Sequence, residues 1–322
     1  MKHIFVIDSL RGLASLMVCV FHFVCFTPIE IDSTVYDVFY FGEKGVQIFF
    51  VISGIVIPLS MYRANYKFQN FYSFFKKRVL RIEPPYLVAL LVAIGVELFR
   101  YHVLGREFIV DLTIQNILLH IGYLVPFVES SSWFNSVFWT LAIEFQFYLF
   151  MACLAPLLFH KKVLYRAVFY LIIVLQTLGF ESNELFPYWA PLFAIGCVYV
   201  SFKSTLIGKR EFYICLVTLI ILIAVKISII DSILGLSVIV VVEEFGQYNS
   251  VLGKFLGKIS YSLYLIHLPV VHKMTYELMK FSQNIYQTCI LIIVGILVSI
   301  FVALIFYKLI EEPAKNLSKK VS

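Results

Sequence analysis

Long apolar runs alternate with short polar links along the chain, and that alternation predicts the architecture. Apolar runs fall at about 10–27, 45–61, 85–104, 138–159, 164–180, 187–202, 212–229, 231–245, 258–279 and 285–308. Most approach the roughly 20 residues that a helix needs to cross the hydrocarbon core of a bilayer. The expectation is an all-α fold, a polytopic transmembrane helix bundle of about ten spans.

Charge in the links orients it. Residues 62–82 hold Arg63, Lys67, Lys76, Lys77, Arg78 and Arg81 with no acid, whereas 27–44 hold Glu30, Asp32, Asp37 and Glu43 against Lys44. Short cytoplasmic loops carry the excess of Lys and Arg, so the second link is placed inside and the first outside. Ten alternating spans then put Lys161, Lys162 and Arg166, then Lys203, Lys209 and Arg210, and then Lys254 and Lys258 on the same inner side. Both termini come out cytoplasmic. Residues 109–127 are apolar enough to tempt an eleventh span, but counting it would reverse Lys161 and Lys162. That segment is read as interfacial or re-entrant. Lys273 and Lys280 remain an exception on the outer side, offset locally by Glu277 alone.

Composition adds that the whole chain belongs to the membrane. Of 322 residues, 61% are apolar and 14% charged, with a mean hydropathy of +0.90, whereas a soluble domain is about one-quarter charged. A single integral-membrane domain, 1–322, is expected, with no separate soluble domain. The net charge of +6 gathers in the links, so it reads as topology and not as a nucleic-acid surface. Six cysteines lie in apolar runs without CxxC or Cys/His ligand spacing, so buried thiols are expected and a metal site is not. The first run lacks a small-x-small cleavage site and is read as a retained span.

Polar groups inside such runs are costly, and therefore informative. Arg11 and His22 lie eleven positions apart in the first run. Eleven helical steps of about 100° return to nearly the same azimuth, roughly 16 Å further along the axis, so the two share a face. Glu144 sits within the fourth run with no cation four residues away. It is read as the partner of a distant Arg or His, or as a charge facing a cavity. His267, beside Pro269, fits an interfacial or capping role as well as chemistry, and His120 is left without a role.

Together these motifs resemble the acyltransferase-3 family of integral-membrane O-acyltransferases, of the bacterial surface-glycan O-acetyltransferase type. Asp8-Ser-Leu-Arg11-Gly-Leu followed by His22 is similar to that family's first span. Gly42-x-x-Gly45 running to Ser53-Gly54 is similar to its second, and Arg78-Val-Leu-Arg81-Ile-Glu-Pro84 resembles its RxxR pattern. Trp139-Thr-Leu-x-x-Glu144, Gly257-Lys-Ile-Ser260 through His267, and Glu311-Glu312-Pro313 complete a series that runs over nearly the whole chain. Glu83 and Glu312 depart from the usual pattern.

The resemblance implies transfer of an acyl group, most often acetyl from acetyl-CoA, to a hydroxyl of a cell-surface polysaccharide or lipid-linked glycan at the bacterial inner membrane. Acyl-CoA would be a co-substrate, and no permanently bound cofactor or nucleic-acid partner is implied. The residue types suit this. A neutral imidazole at His22, with Arg11 and Glu144 in support, can take the hydroxyl proton as attack proceeds. Lys76, Lys77, Arg78 and Arg81 can hold the donor's phosphates. Each reading has a plainer rival: a structural histidine in the bundle for His22, and positive-inside topology for Arg78 and Arg81. A transporter or flippase of a glycan or lipid-linked glycan is the alternative for the whole, since intramembrane charges also line substrate paths.

Overall fold

The computed structural model describes residues 4–28, 32–108 and 111–321. Among these residues the fold is helical and without strands. The helices are α1 (Val6–Cys25), α2 (Ser33–Tyr40), α3 (Gly45–Arg63), α4 (Phe71–Leu104), α5 (Ile114–Ile121), α6 (Phe138–Leu158), α7 (Val163–Gly179), α8 (Phe186–Lys203), α9 (Lys209–Lys226), α10 (Ile229–Phe245), α11 (Val251–Ile266), α12 (Lys273–Met279), α13 (Ile285–Phe306) and α14 (Glu312–Lys319). A π-helical turn, His267–His272, joins α11 to α12, and another, Tyr307–Glu311, joins α13 to α14.

Every predicted apolar run is helical, and five helical stretches are long and apolar enough to cross a membrane. Exposed side chains say why such a surface needs lipid. On α13, Ile290, Ile293, Val294, Leu297, Val298, Phe301 and Ile305 are all exposed, and α7 exposes Val168, Leu171, Leu175 and Leu178. Apolar stripes of that extent would be an aggregation surface in water. The protein is a membrane protein.

One boundary differs from the sequence reading. The third run is expected to start near Pro84–Pro85, yet α4 is helical from Phe71 onward with both prolines inside it. Hydropathy marks where a helix becomes apolar, not where it begins, and the basic residues 76–81 hid its first turns. Residues 111–127 hold only the eight-residue α5 and the single turn Val125–Phe127, so they form no continuous helix of spanning length. Residues 109 and 110 lie outside the described residues.

The chain divides into two compact units. One comprises Met1–Arg11, Val46–Lys76 and Ala142–Lys254. Its centre is α8, buried on all sides from Trp189 to Ser201. There α3 meets α8 backbone to backbone: a Cβ at Gly54 would stand 2.0 Å from the Phe193 carbonyl oxygen, and one at Gly196 would stand 2.4 Å from the Gly54 carbonyl carbon. Small residues permit such close crossings where no hydrophobic effect drives helices together. Arg166 grips both oxygens of Glu211 at 2.7 Å, tying α7 to α9.

The other unit comprises Gly12–Gly45, Lys77–Leu141 and Phe255–Ser322. Here α1 crosses α11 closely, with a Cβ at Gly12 falling 2.8 Å from the Gly257 nitrogen. The Tyr86 hydroxyl, fully buried, donates to the His120 carbonyl at 2.9 Å. Asn135 Nδ2 donates to the Leu265 carbonyl at 3.1 Å, and Tyr261 to the Ile82 carbonyl at 3.0 Å. Glu311 accepts from both the N–H and the hydroxyl of Ser262, so the second π-turn is anchored on α11.

The unit also gives the two exceptional lysines acidic partners. Lys273 bonds Glu97 of α4, Arg100 bonds Glu97 at 3.2 Å, and Glu277 accepts from Arg106 at 2.8 Å and Lys280 at 2.9 Å. Lys273 is held by an acid 176 positions away, a pairing that no local count of loop charges contains, and Lys280 by Glu277 three residues back.

The cysteines are a partial correction. Cys19 and Cys197 are buried as expected, but Cys25 and Cys215 are half-buried and Cys153 and Cys289 exposed. A thiol is small and apolar enough to sit on a lipid-facing surface, so position in an apolar run does not imply burial.

Candidate active site

His22 is presented near the end of α1, which runs unbroken from Val6 to Cys25 and also carries the half-buried Arg11. The helix brings the Val18 carbonyl, one turn back, to 2.9 Å from His22 Nδ1. The same nitrogen lies 3.1 Å from Nε2 of His267, the first residue of the π-turn. His267 is wholly buried, and its Nδ1 stands 2.8 Å from the Leu263 carbonyl. Phe21 and Phe26 wall the His22 ring, with centroids at 4.8 and 5.7 Å. His272, at the end of the π-turn, packs edge-on against Phe23 at 5.3 Å.

The other ring nitrogen of His22, Nε2, has no hydrogen-bond partner among the described residues. His22 as a residue is 8% exposed. The protein therefore orients this imidazole through one nitrogen and leaves the other for something else. Of the roles open to His267, the structure adds one observation: it is a wholly buried neighbour of His22. Its motif was visible in the sequence, but the pairing was not, because 245 positions separate the two rings.

Glu144 belongs to the first unit, on α6. Its Oε1 accepts from the Tyr148 hydroxyl, one turn on, at 2.5 Å and from the Ser53 hydroxyl of α3 at 3.1 Å. These hydroxyl partners replace the expected Arg or His in the direct hydrogen-bond shell. Ser53 was present in the second-span motif, so the signal existed, but hydroxyls carry no charge pattern to pair with an acid.

Lys76, Lys77, Arg78 and Arg81 all lie in the first three turns of α4. The two lysines are exposed and the two arginines half-buried, with the Lys76 ammonium 6.0 Å from the Tyr72 ring centre. The departure at Glu312 is locally satisfied by the Tyr307 hydroxyl at 3.1 Å and Lys258 at 3.8 Å. His120 is fully engaged: Nδ1 is 2.8 Å from the Asn116 carbonyl, and Nε2 accepts the Phe134 N–H at 3.0 Å.

The fold and site define a helical integral-membrane protein with a buried imidazole whose Nε2 has no partner among the described residues. More specifically, the chain belongs to the acyltransferase family, whose description as an acyltransferase domain matches residues 4–308, and it is an acyltransferase. It is similar to ORF330 of Acidianus two-tailed virus, a protein whose name proposes it as an acetyltransferase. The two are 26% identical over 287 residues, which cover 81% of this chain and 82% of that protein. No solved structure matches the chain.

Proposed function

We propose that this enzyme is an O-acyltransferase of the bacterial inner membrane that moves an acetyl group from acetyl-CoA to a hydroxyl of a cell-surface polysaccharide or lipid-linked glycan, with His22 as general base. The observation that carries the reading is His22 itself, a buried imidazole in an acyltransferase with Nδ1 engaged and Nε2 without a partner among the described residues. As the hydroxyl oxygen attacks the thioester carbonyl, its proton passes to His22 Nε2. The carbon–sulfur bond then breaks, and the departing thiolate takes the proton back. General-base assistance of this kind typically contributes about 10²- to 10⁴-fold.

In this reading Arg78 and Arg81, with Lys76 and Lys77, hold the donor's phosphates, and Arg11 supplies positive charge on the His22 face of α1. Glu144 orders the hydroxyls of Ser53 and Tyr148. Ten spans with both termini cytoplasmic place the basic start of α4 on the donor's side, an arrangement supported by the loop charges and tested by reporter fusions at residues 70, 161 and 322. The activity is tested with radiolabelled acetyl-CoA and membranes containing the protein. Covalent label on polysaccharide or lipid-linked glycan supports the proposal. Vectorial movement of glycan without label refutes it.

A further inference from the structure

The inference rests on His22 as the base and concerns the group behind it. A backbone carbonyl oxygen only accepts, so a ring nitrogen bonded to one carries the hydrogen. His267 Nδ1, bonded to the Leu263 carbonyl, is therefore N–H, and the lone pair of the neutral ring lies on Nε2. His22 Nδ1, bonded to the Val18 carbonyl, is likewise N–H. The 3.1 Å contact between His22 Nδ1 and His267 Nε2 then has one consistent reading: His22 donates and His267 accepts. A charged His267 would oppose two hydrogens across that distance. The lone pair of His22 is left on Nε2, the nitrogen without a partner among the described residues.

We infer that His267 is a positioning residue for acyl transfer: its Nε2 lone pair holds the His22 ring as the Nδ1–H tautomer, with Nε2 presented to the acceptor hydroxyl. The Val18 carbonyl lies on His22's own helix and moves with it, whereas His267 ties the ring to a second element. That element is unusual. The π-turn His267–His272 interrupts an otherwise α-helical stretch, and such turns are rare and recur at functional sites. When His22 takes the hydroxyl proton its Nδ1–H becomes a charge-assisted donor, and the bond to His267 strengthens at the moment charge develops. An aspartate does the same for the histidine of a Ser-His-Asp triad. His267 gains and loses no proton over the cycle.

The test uses the full chain in membranes with radiolabelled acetyl-CoA as donor and the resident glycans as acceptor. His267→Phe keeps the ring volume without the lone pair, and should lower kcat about tenfold or more while KM for acetyl-CoA stays within about twofold. His267→Gln offers an amide oxygen of similar reach and should restore most of the rate. Independently, the wild-type protein labelled with 15N-histidine in bilayers should show nitrogen–nitrogen coupling across the His22–His267 bond, from a protonated to a bare nitrogen. Wild-type kcat in His267→Phe, or absence of that coupling, overturns the inference. Because the coupling needs no variant, a misfolded substitution cannot leave the question undecided. A dead His22→Gln beside a fully active His267→Phe removes this inference alone, and an active His22→Gln removes the base assignment itself.

Discussion

His22 and His120 begin alike and end differently. Each is a buried imidazole on a helix, and each directs Nδ1 to the carbonyl four residues back, at 2.9 and 2.8 Å. His120 then spends Nε2 on the Phe134 N–H, so both of its nitrogens are consumed in holding a loop. His22 gathers the Val18 carbonyl and His267 at Nδ1 and keeps Nε2 unengaged. Burial alone therefore does not mark a base; under the base assignment, what sets His22 apart from His120 is that no described residue engages its Nε2.

The sharpest way to break this comparison is His22→Gln. It keeps a hydrogen-bonding side chain but cannot take a proton, so acyl incorporation per unit of folded protein should fall by about two orders of magnitude or more, with membrane insertion retained. Near-normal turnover would make His22 a second His120. The next effect in size belongs to the donor. Arg78→Ala or Arg81→Ala should raise KM for acetyl-CoA about tenfold through lost charge-assisted contacts, while Lys67→Ala leaves it unchanged. Unchanged kinetics in both arginine variants would reduce those charges to topology.

For His120 the expectation reverses. His120→Leu should leave turnover per folded molecule as it was, yet lower stability by about 1–3 kcal/mol because the Phe134 N–H loses its acceptor; thermal unfolding in detergent beside the kinetic assay separates the two. The smallest effect is a pH dependence. Burial holds the His120 imidazole below its ordinary value of 6.5, with the Asn116 carbonyl working the other way. As pH falls, the unfolded chain takes the proton first. This contribution to stability is therefore complete above 6.5 and is lost as pH drops below it. Melting temperatures of wild type and His120→Gln should converge on acidification, and parallel curves would show that His120 does not titrate in the unfolding transition.

Much of the fold could be read from hydropathy, because an apolar run of sufficient length has few other solutions. The start of α4 could not, since its aromatic first residues, 71–75, are cut off from the apolar run by the basic residues 76–81. At the site, His22 stood out because an ionisable group in an apolar run is conspicuous on its own. Its relation to His267 did not, because a contact between the first helix and the eleventh leaves no periodicity. Glu144 was visible as an isolated acid, but Ser53 and Tyr148 were not visible as its partners. The links from Glu97 to Lys273 and from Arg100 to Glu277, the latter at 3.7 Å, are likewise a tertiary fact that a count of loop charges does not contain.

The length of α4 has a mechanical consequence. Its 34 residues extend roughly 51 Å at 1.5 Å per residue, while the hydrocarbon of a typical bilayer is about 30 Å thick. The surplus is helix and not loop, with Pro84 and Pro85 a point of bending between the basic turns and the apolar stretch, so a mismatch with the lipid is met by tilting, bending or protrusion. Under the donor assignment, Arg78 and Arg81 then ride on a helical extension whose height above the hydrocarbon follows the lipid. Acyl-chain length becomes a variable of donor affinity, and the same protein reconstituted in thin and thick bilayers should differ in KM for acetyl-CoA before it differs in kcat.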